Sequence, residues 1–199
     1  MKVYFARHGE TEWNARRWVQ GWSDTELNAV GLEQARRLGE NLAARSNIVH
    51  VYSSRMRRAH TTAQIVARRL GVPCESRQGL QEIALGDWEG STWRQIECCW
   101  PEAYGSWQRD KRNCAPPNGE SYSDVLRRFV PAVLKILKEA KGDVLIVAHS
   151  GCLLAFQAEL NGTPLETMHR DYSAPNGGAF SIDAQRILER WGSMECVEA

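Results

Sequence analysis

The chain has 199 residues, 43% hydrophobic and 25% charged, a length and balance that suit one folded domain with a sizeable core and exclude a disordered chain. Its 25 Lys and Arg against 24 Asp and Glu leave a net charge of +1, which points to neither nucleic acid nor an acidic membrane as a partner.

Residues 3–6 form a short apolar, β-prone run that reads as a buried parallel strand. Residues 31–44 carry Leu32, Ala35, Leu38 and Leu42 at helical spacing, and residues 48–52 read as a second strand. A helix follows over 56–70, stopped by Gly71 with Pro73 beyond. Residues 121–140 are helical, although Pro131 should kink that helix or shift its start. Residues 144–148 are five apolar residues in a row and give the clearest strand, followed by a helix over 152–160 that ends at Asn161-Gly162. Residues 179–182 and 186–191 read as a terminal pair of strands.

This alternation predicts an α/β fold, a three-layer α/β/α sandwich on a mostly parallel sheet. Residues 83–120, with Trp88, Trp93, Trp100 and Trp107, break the rhythm and read as a cap-like excursion within a single domain over 1–199. The tryptophans are expected to form the core of that cap; the alternative is that one or two of them, or of Trp13, Trp18 and Trp22 nearer the N-terminus, flank an apolar or ring-containing part of a ligand. Six cysteines contain no C-x-x-C pair, so a zinc site is not expected. The run at 3–6 is too short for a signal-peptide core and no stretch is long enough to span a bilayer. A cytoplasmic protein with reduced thiols is the expectation.

Three strands are each followed at once by polar residues: Arg7-His8-Gly9, Ser53-Ser54 leading to Arg58, and His149-Ser150-Gly151. Ligands of open α/β sheets bind outside the carboxyl ends of the strands, so these clusters are expected to converge. Taken singly, a histidine after a strand is ordinarily a loop residue and an arginine a solvated charge. Two of each in one cleft suit an anion with several oxygens, because the guanidinium fork binds phosphate bidentately and keeps its charge. His50 and His60 fall inside a strand and a helix, while His169 lies in a polar loop that could line the mouth of such a cleft.

The pattern Arg7-His8-Gly9-Glu10-Thr11 with Asn14 resembles the signature of the histidine phosphatase superfamily, the phosphoglycerate mutase-like proteins. The likeness continues through Gln20-Gly21, the block from Ser53 to Ala59, Leu80-Gln81-Glu82, Gly86 with Trp88-Glu89-Gly90, Asn118-Gly119-Glu120-Ser121 and Val147-Ala148-His149. The branch it is most similar to is that of phosphatases such as α-ribazole phosphatase. Arg55, Thr61, Ser150 and Leu154 depart from residues common in the family, which bears on substrate preference more than on chemistry.

The resemblance implies a phosphohistidine mechanism without metal or other cofactor. His8 would be the nucleophile and Glu82 the proton donor, with Arg7, Arg58 and His149 completing the catalytic set. Arg7, Asn14, Gln20, Gly21, Arg58, His149 and Ser150 would hold the substrate phosphate. The neighbouring arginines should keep His8 neutral, and a backbone carbonyl should hold its other nitrogen. The expected partner is a small phosphorylated metabolite, and the expected assembly a monomer or homodimer. The rival enzyme is a cofactor-dependent phosphoglycerate mutase, for which Arg94, Arg109, Lys111 and Arg112 would supply charge for a substrate carboxylate. The other rival is a non-catalytic phosphate-binding protein on the same fold.

Overall fold

The computed structural model describes residues 1–192. Its sheet contains β1 (Lys2–Arg7), β2 (Ile48–Ser53), β3 (Cys74–Ser76), β4 (Asp143–Ala148) and β5 (Ala179–Asp183), in the order β3-β2-β4-β1-β5. The first four are parallel to their neighbours, and β5 closes the edge antiparallel to β1.

Strand periodicity assigns each layer. Val3 and Phe5 of β1 and Val144, Ile146 and Ala148 of β4 enter one core, while Ala6, Leu145 and Val147 enter the other. The second core is covered by α2 (Ala29–Ala43) and α3 (Arg57–Leu70), through Leu38, Leu42, Ala59, Ala63 and Val66. The first is covered by α6 (Tyr122–Glu139), α7 (Ser150–Asn161) and α9 (Ala184–Trp191), through Phe129, Val133, Phe156 and Ile187. This is the expected three-layer α/β/α arrangement. Side chains such as Ile146 and Phe129, both 0% exposed, each contribute about 1.5–3 kcal/mol by leaving water.

Several boundaries differ from expectation. Pro131 lies inside α6 without moving its start, because Ser121 caps the helix and closes a capping box with Asp124. Residues 186–191 are helical, not a strand. Asp183 accepts from Gln185 N and starts α9, whose Ala184, Ile187 and Trp191 bury one face at helical spacing. The excursion carries a 3₁₀ turn (Gly86–Trp88), α4 (Trp93–Cys99) and α5 (Pro101–Arg109). Trp88 and Trp107 are 0% and 2% exposed and meet edge to face at 5.6 Å, so the core part of the tryptophan expectation describes them. Two single-turn helices, α1 (Glu12–Ala15) and α8 (Met168–Asp171), flank the sheet edge that carries the candidate site.

Candidate active site

Because β1, β2 and β4 are parallel, their carboxyl ends meet at one edge of the sheet. β1 delivers Arg7 and then His8, β4 delivers His149 and Ser150, and the turn after β2 leads into α3, which carries Arg58. His8 is 2% exposed, and its Nδ1 lies 2.7 Å from the Gly9 carbonyl oxygen. A carbonyl only accepts, so the neutral ring carries its hydrogen on Nδ1 and keeps the lone pair on Nε2.

The backbone around His8 is held on both sides. His8 N donates to Ala148 O at 3.1 Å, Asn176 Nδ2 donates to His8 O at 3.1 Å, and Gly9 N donates to Thr62 Oγ1 at 3.0 Å. Gly9 packs so closely on α2 that a Cβ there would stand 2.3 Å from Gly31 O.

Arg58 is 1% exposed and donates from Nη1 to Ser23 O and from Nη2 to Gly21 O, both at 2.8 Å. Arg7 Nη1 donates to Ala174 O at 3.0 Å. The Nε atoms of both arginines are buried without a protein partner among the described residues. So are both ring nitrogens of His149, whose ring centroid lies 5.1 Å from that of His8. Buried polar atoms in folded proteins are ordinarily paired, and this group of them converges on His8. An oxyanion with several oxygens would accept from the donors among them, the two arginine Nε–H groups and the one N–H that a neutral His149 ring carries.

The loop opposite is shaped by Glu89. Its Oε1 accepts from Trp22 N at 2.8 Å and Leu85 N at 3.1 Å, and its Oε2 accepts from Ser23 N at 2.8 Å and Ser23 Oγ at 2.7 Å. Gly21 within that loop has φ +51, and a Cβ on it would meet Glu89 Oε1 at 2.1 Å. Gln20 Oε1 accepts from Thr11 Oγ1 at 2.9 Å and Thr25 Oγ1 at 2.6 Å. Asn14 uses Oδ1 to accept from Thr11 N and Asn176 Nδ2, both at 3.2 Å.

Glu82 sits over the start of α7. Its Oε2 accepts from Gly151 N and its Oε1 from Cys152 N, each at 3.1 Å, so the carboxylate meets the positive end of that helix. Its carbonyl oxygen accepts from Arg128 Nη2 at 2.8 Å and Trp22 Nε1 at 2.6 Å, which fixes the peptide that carries it.

A cavity of about 390 Å³ joins these parts. Arg7, His8, Asn14, Gln20, Gly21, Arg58, Glu82 and Ser150 all line it, with His149 packed behind His8. Burial, then Arg58, then Arg7 push the pKa of His8 well below the usual imidazole value. His149 is likewise lowered well below that value, by burial and then by Arg58. Both rings are therefore neutral near pH 7, and the positive charge of the site resides on its arginines.

A family model described as the histidine phosphatase superfamily, branch 1, matches residues 3–186. The chain belongs to the histidine phosphatase superfamily. It is 35% identical over 196 residues to a metal-independent phosphoserine phosphatase of Arabidopsis thaliana, a match covering 97% of this chain and 82% of the relative. It is 37% identical over 164 residues to a probable phosphoglycerate mutase of Salmonella arizonae, covering 78% of this chain and 74% of the relative. The solved α-ribazole phosphatase of Shigella flexneri superposes with a TM-score of 0.79 at 32% identity, covering 94% of this chain and 92% of that one. As a histidine phosphatase, the chain is an enzyme that acts on phosphate esters.

Within this histidine phosphatase, every residue that sequence reasoning assigned to the site stands at the one sheet edge. His169 lines the cavity, as do Trp18 and Trp93, so part of the tryptophan set does face the site. His50 lies in β2 and His60 in α3, as read. Sequence reasoning passed over Arg17, Tyr122 and Asn176. Arg17 adopts φ 57 in the turn after α1, which its residue type does not announce, and Tyr122 is hidden behind the Ser121 cap. Asn176 stands in an Asn-Gly-Gly turn whose composition marks a bend but not the carbonyl it holds.

Proposed function

We propose that this histidine phosphatase hydrolyses a small phosphorylated metabolite through a phosphohistidine formed on His8. The observation that carries this reading is the group of buried, unpartnered polar atoms of Arg7, Arg58 and His149 around a neutral His8 with Nδ1 held by a carbonyl. On this reading Nε2 of His8 attacks phosphorus and the bond to the leaving oxygen breaks. Arg7, Arg58, Asn14 and His149 hold the phosphoryl oxygens, with Gln20, Gly21 and Ser150 beside them. Phosphoryl transfer is largely positioning and charge stabilisation, so this cluster takes the part that a metal ion plays elsewhere. Protonated Glu82 gives its proton to the leaving oxygen. Water then attacks the phosphohistidine, Glu82 takes a proton from it, and inorganic phosphate departs.

The same reading makes residues 83–120 a cap over the site, since Leu85 and Trp93 belong to the cavity wall. It also makes the protein cytoplasmic, a monomer or homodimer, and independent of nucleic acid and membranes. The near-zero net charge supports the independence from nucleic acid and acidic membranes, and among the described residues no helix is long and apolar enough to cross a membrane.

Phosphoglycerate mutase is the second reading, favoured by Lys111, a buried cation near the site. The two differ in whether water reaches the phosphohistidine. The test is inorganic phosphate release from a panel of phosphomonoesters, with and without exhaustive chelation, set beside interconversion of 3- and 2-phosphoglycerate. Phosphate release should persist under chelation and far exceed interconversion. Efficient interconversion with little phosphate released would establish the mutase instead.

A further inference from the structure

A second cavity, about 370 Å³, adjoins the first, and the two share Trp93 and His169 in their walls. Tyr104, Trp107, Gln108 and Lys111 complete it on the far side. Trp93 stacks on Trp107 at 5.5 Å with 17° between the rings, yet remains 42% exposed, so an apolar surface runs from the phosphate site towards Lys111.

Lys111 is the unusual member. It is 4% exposed, and its Nζ lies 4.9 Å from the Trp107 ring, an attraction of a cation to a π face. Among the described residues Nζ makes no hydrogen bond and no ion pair of its own. Glu166 favours its charge through space but spends Oε1 on Lys111 N at 3.2 Å. Burial lowers the pKa of Lys111 from the ordinary lysine value, with Glu166 opposing. The stem of Lys111 is covered, yet Nζ is not among the fully buried polar atoms without a partner, so the ammonium opens onto the cavity that Lys111 lines. The other basic residues of the excursion lack this placement. Arg112 pairs with Glu159 at 2.6 Å, Arg109 is exposed and donates to Ser106 Oγ at 3.2 Å, and Arg94 is exposed.

We propose that this second cavity is the leaving-group subsite, and that the substrate is a phosphomonoester whose leaving group carries a second anionic group, seated on Lys111 with its apolar body along Trp93. The inference rests on the hydrolase reading above and adds the class of substrate. The anionic group is a carboxylate or a second phosphate. Both offer oxygens that accept from an ammonium with unused hydrogens. Lys111 is a specificity residue on this view and takes no part in the chemical steps.

The experiment measures kcat/KM of the full chain on 3-(4-phosphonooxyphenyl)propanoate, its neutral amide, the matching phosphonate, and phenyl phosphate. The two-carbon spacer insulates the reacting oxygen, so the acid and the amide differ only at the far end. The acid should be favoured over the amide by about tenfold, as expected for one charge-assisted contact. That ratio should fall to near one in Lys111→Met and survive in Lys111→Arg. It is internal to each enzyme, so a variant that is merely less stable does not imitate the result. Should Lys111→Met fail to fold, Lys111→Gln serves in its place. A phosphonate favoured over the acid assigns a second phosphate, and the reverse order a carboxylate. A ratio near one in the wild type, or a ratio unchanged by loss of the ammonium, overturns the subsite while phenyl phosphate turnover leaves the hydrolase standing. No phosphate release from any of the four compounds overturns both.

Discussion

Arg128 tests how Glu82, the proposed acid, is positioned. Its guanidinium donates to Gly79 O at 3.1 Å, Gln81 O at 2.8 Å and Glu82 O at 2.8 Å, and forks onto Glu120 at 2.9 and 2.8 Å. Both side chains of the pair are 20% exposed, and Glu120 Oε2 also accepts from Ala84 N at 2.9 Å. Arg128→Met removes all five donors at once and leaves three carbonyls and a carboxylate facing a thioether. Losing one partner of a buried pair costs about 3–5 kcal/mol, and partial exposure brings this to roughly 3 kcal/mol. For a chain of this length that is a fall of about 6–12 °C in Tm, read by thermal unfolding with urea titration as a check. The peptide of Glu82 also loses its tether, so kcat on alkyl phosphates should drop about tenfold or more while KM moves little. Arg128→Lys keeps the charge but not the fork and should fall between the two. A variant as stable as the wild type, or one whose loss lies wholly in KM, would refute this account of the Glu82 segment.

Glu82→Gln should lose most activity on alkyl phosphates and far less on p-nitrophenyl phosphate, whose leaving group needs little protonation; equal losses on both would remove Glu82 from the role of acid. The pH dependence of stability has a definite sign. His8 and His149 have folded pKa values below the 6.5 of the unfolded chain, so they favour the fold above pH 6.5, and that contribution is lost as pH falls. Each adds about 1.4 kcal/mol per pH unit to the loss below pH 6.5. His149→Gln should therefore show a shallower decline in urea-derived stability from pH 6.5 to 5, and an unchanged slope would contradict the assignment of a neutral buried ring.

The site's end of the sheet was legible because β1 and β4 carry apolar runs buried in the sheet and β2 is apolar apart from His50, each followed by a polar cluster. His8 and His149 stand where β1 and β4 stop, Arg58 stands in the first turn of α3 after β2, and parallel order brings the three ends together. β3 escaped because three residues, Cys74 to Ser76, half-exposed at the sheet edge, carry no period. The segment after Asp183 was misread because Arg186, Glu189 and Arg190 are interleaved with Ile187, Leu188 and Trp191; the deciding signal was the Asp183 cap with Ala184, Ile187 and Trp191 on one face. Asn176 and Arg17 were out of reach for a different reason. What they do depends on a carbonyl contact and a left-handed turn, and neither is written in residue type.

The central claim is a covalent phosphohistidine on His8, and trapping it is the most direct test. Rapid quenching of wild-type enzyme during turnover of a ³²P-labelled phosphomonoester should give protein-bound label that is stable in alkali and lost in acid. Digestion should place it on the peptide carrying Arg7-His8-Gly9. His8→Ala should be unlabelled, inactive and folded, with a circular dichroism spectrum like that of the wild type. Label that resists acid, label on another peptide, or turnover retained in folded His8→Ala would contradict the account.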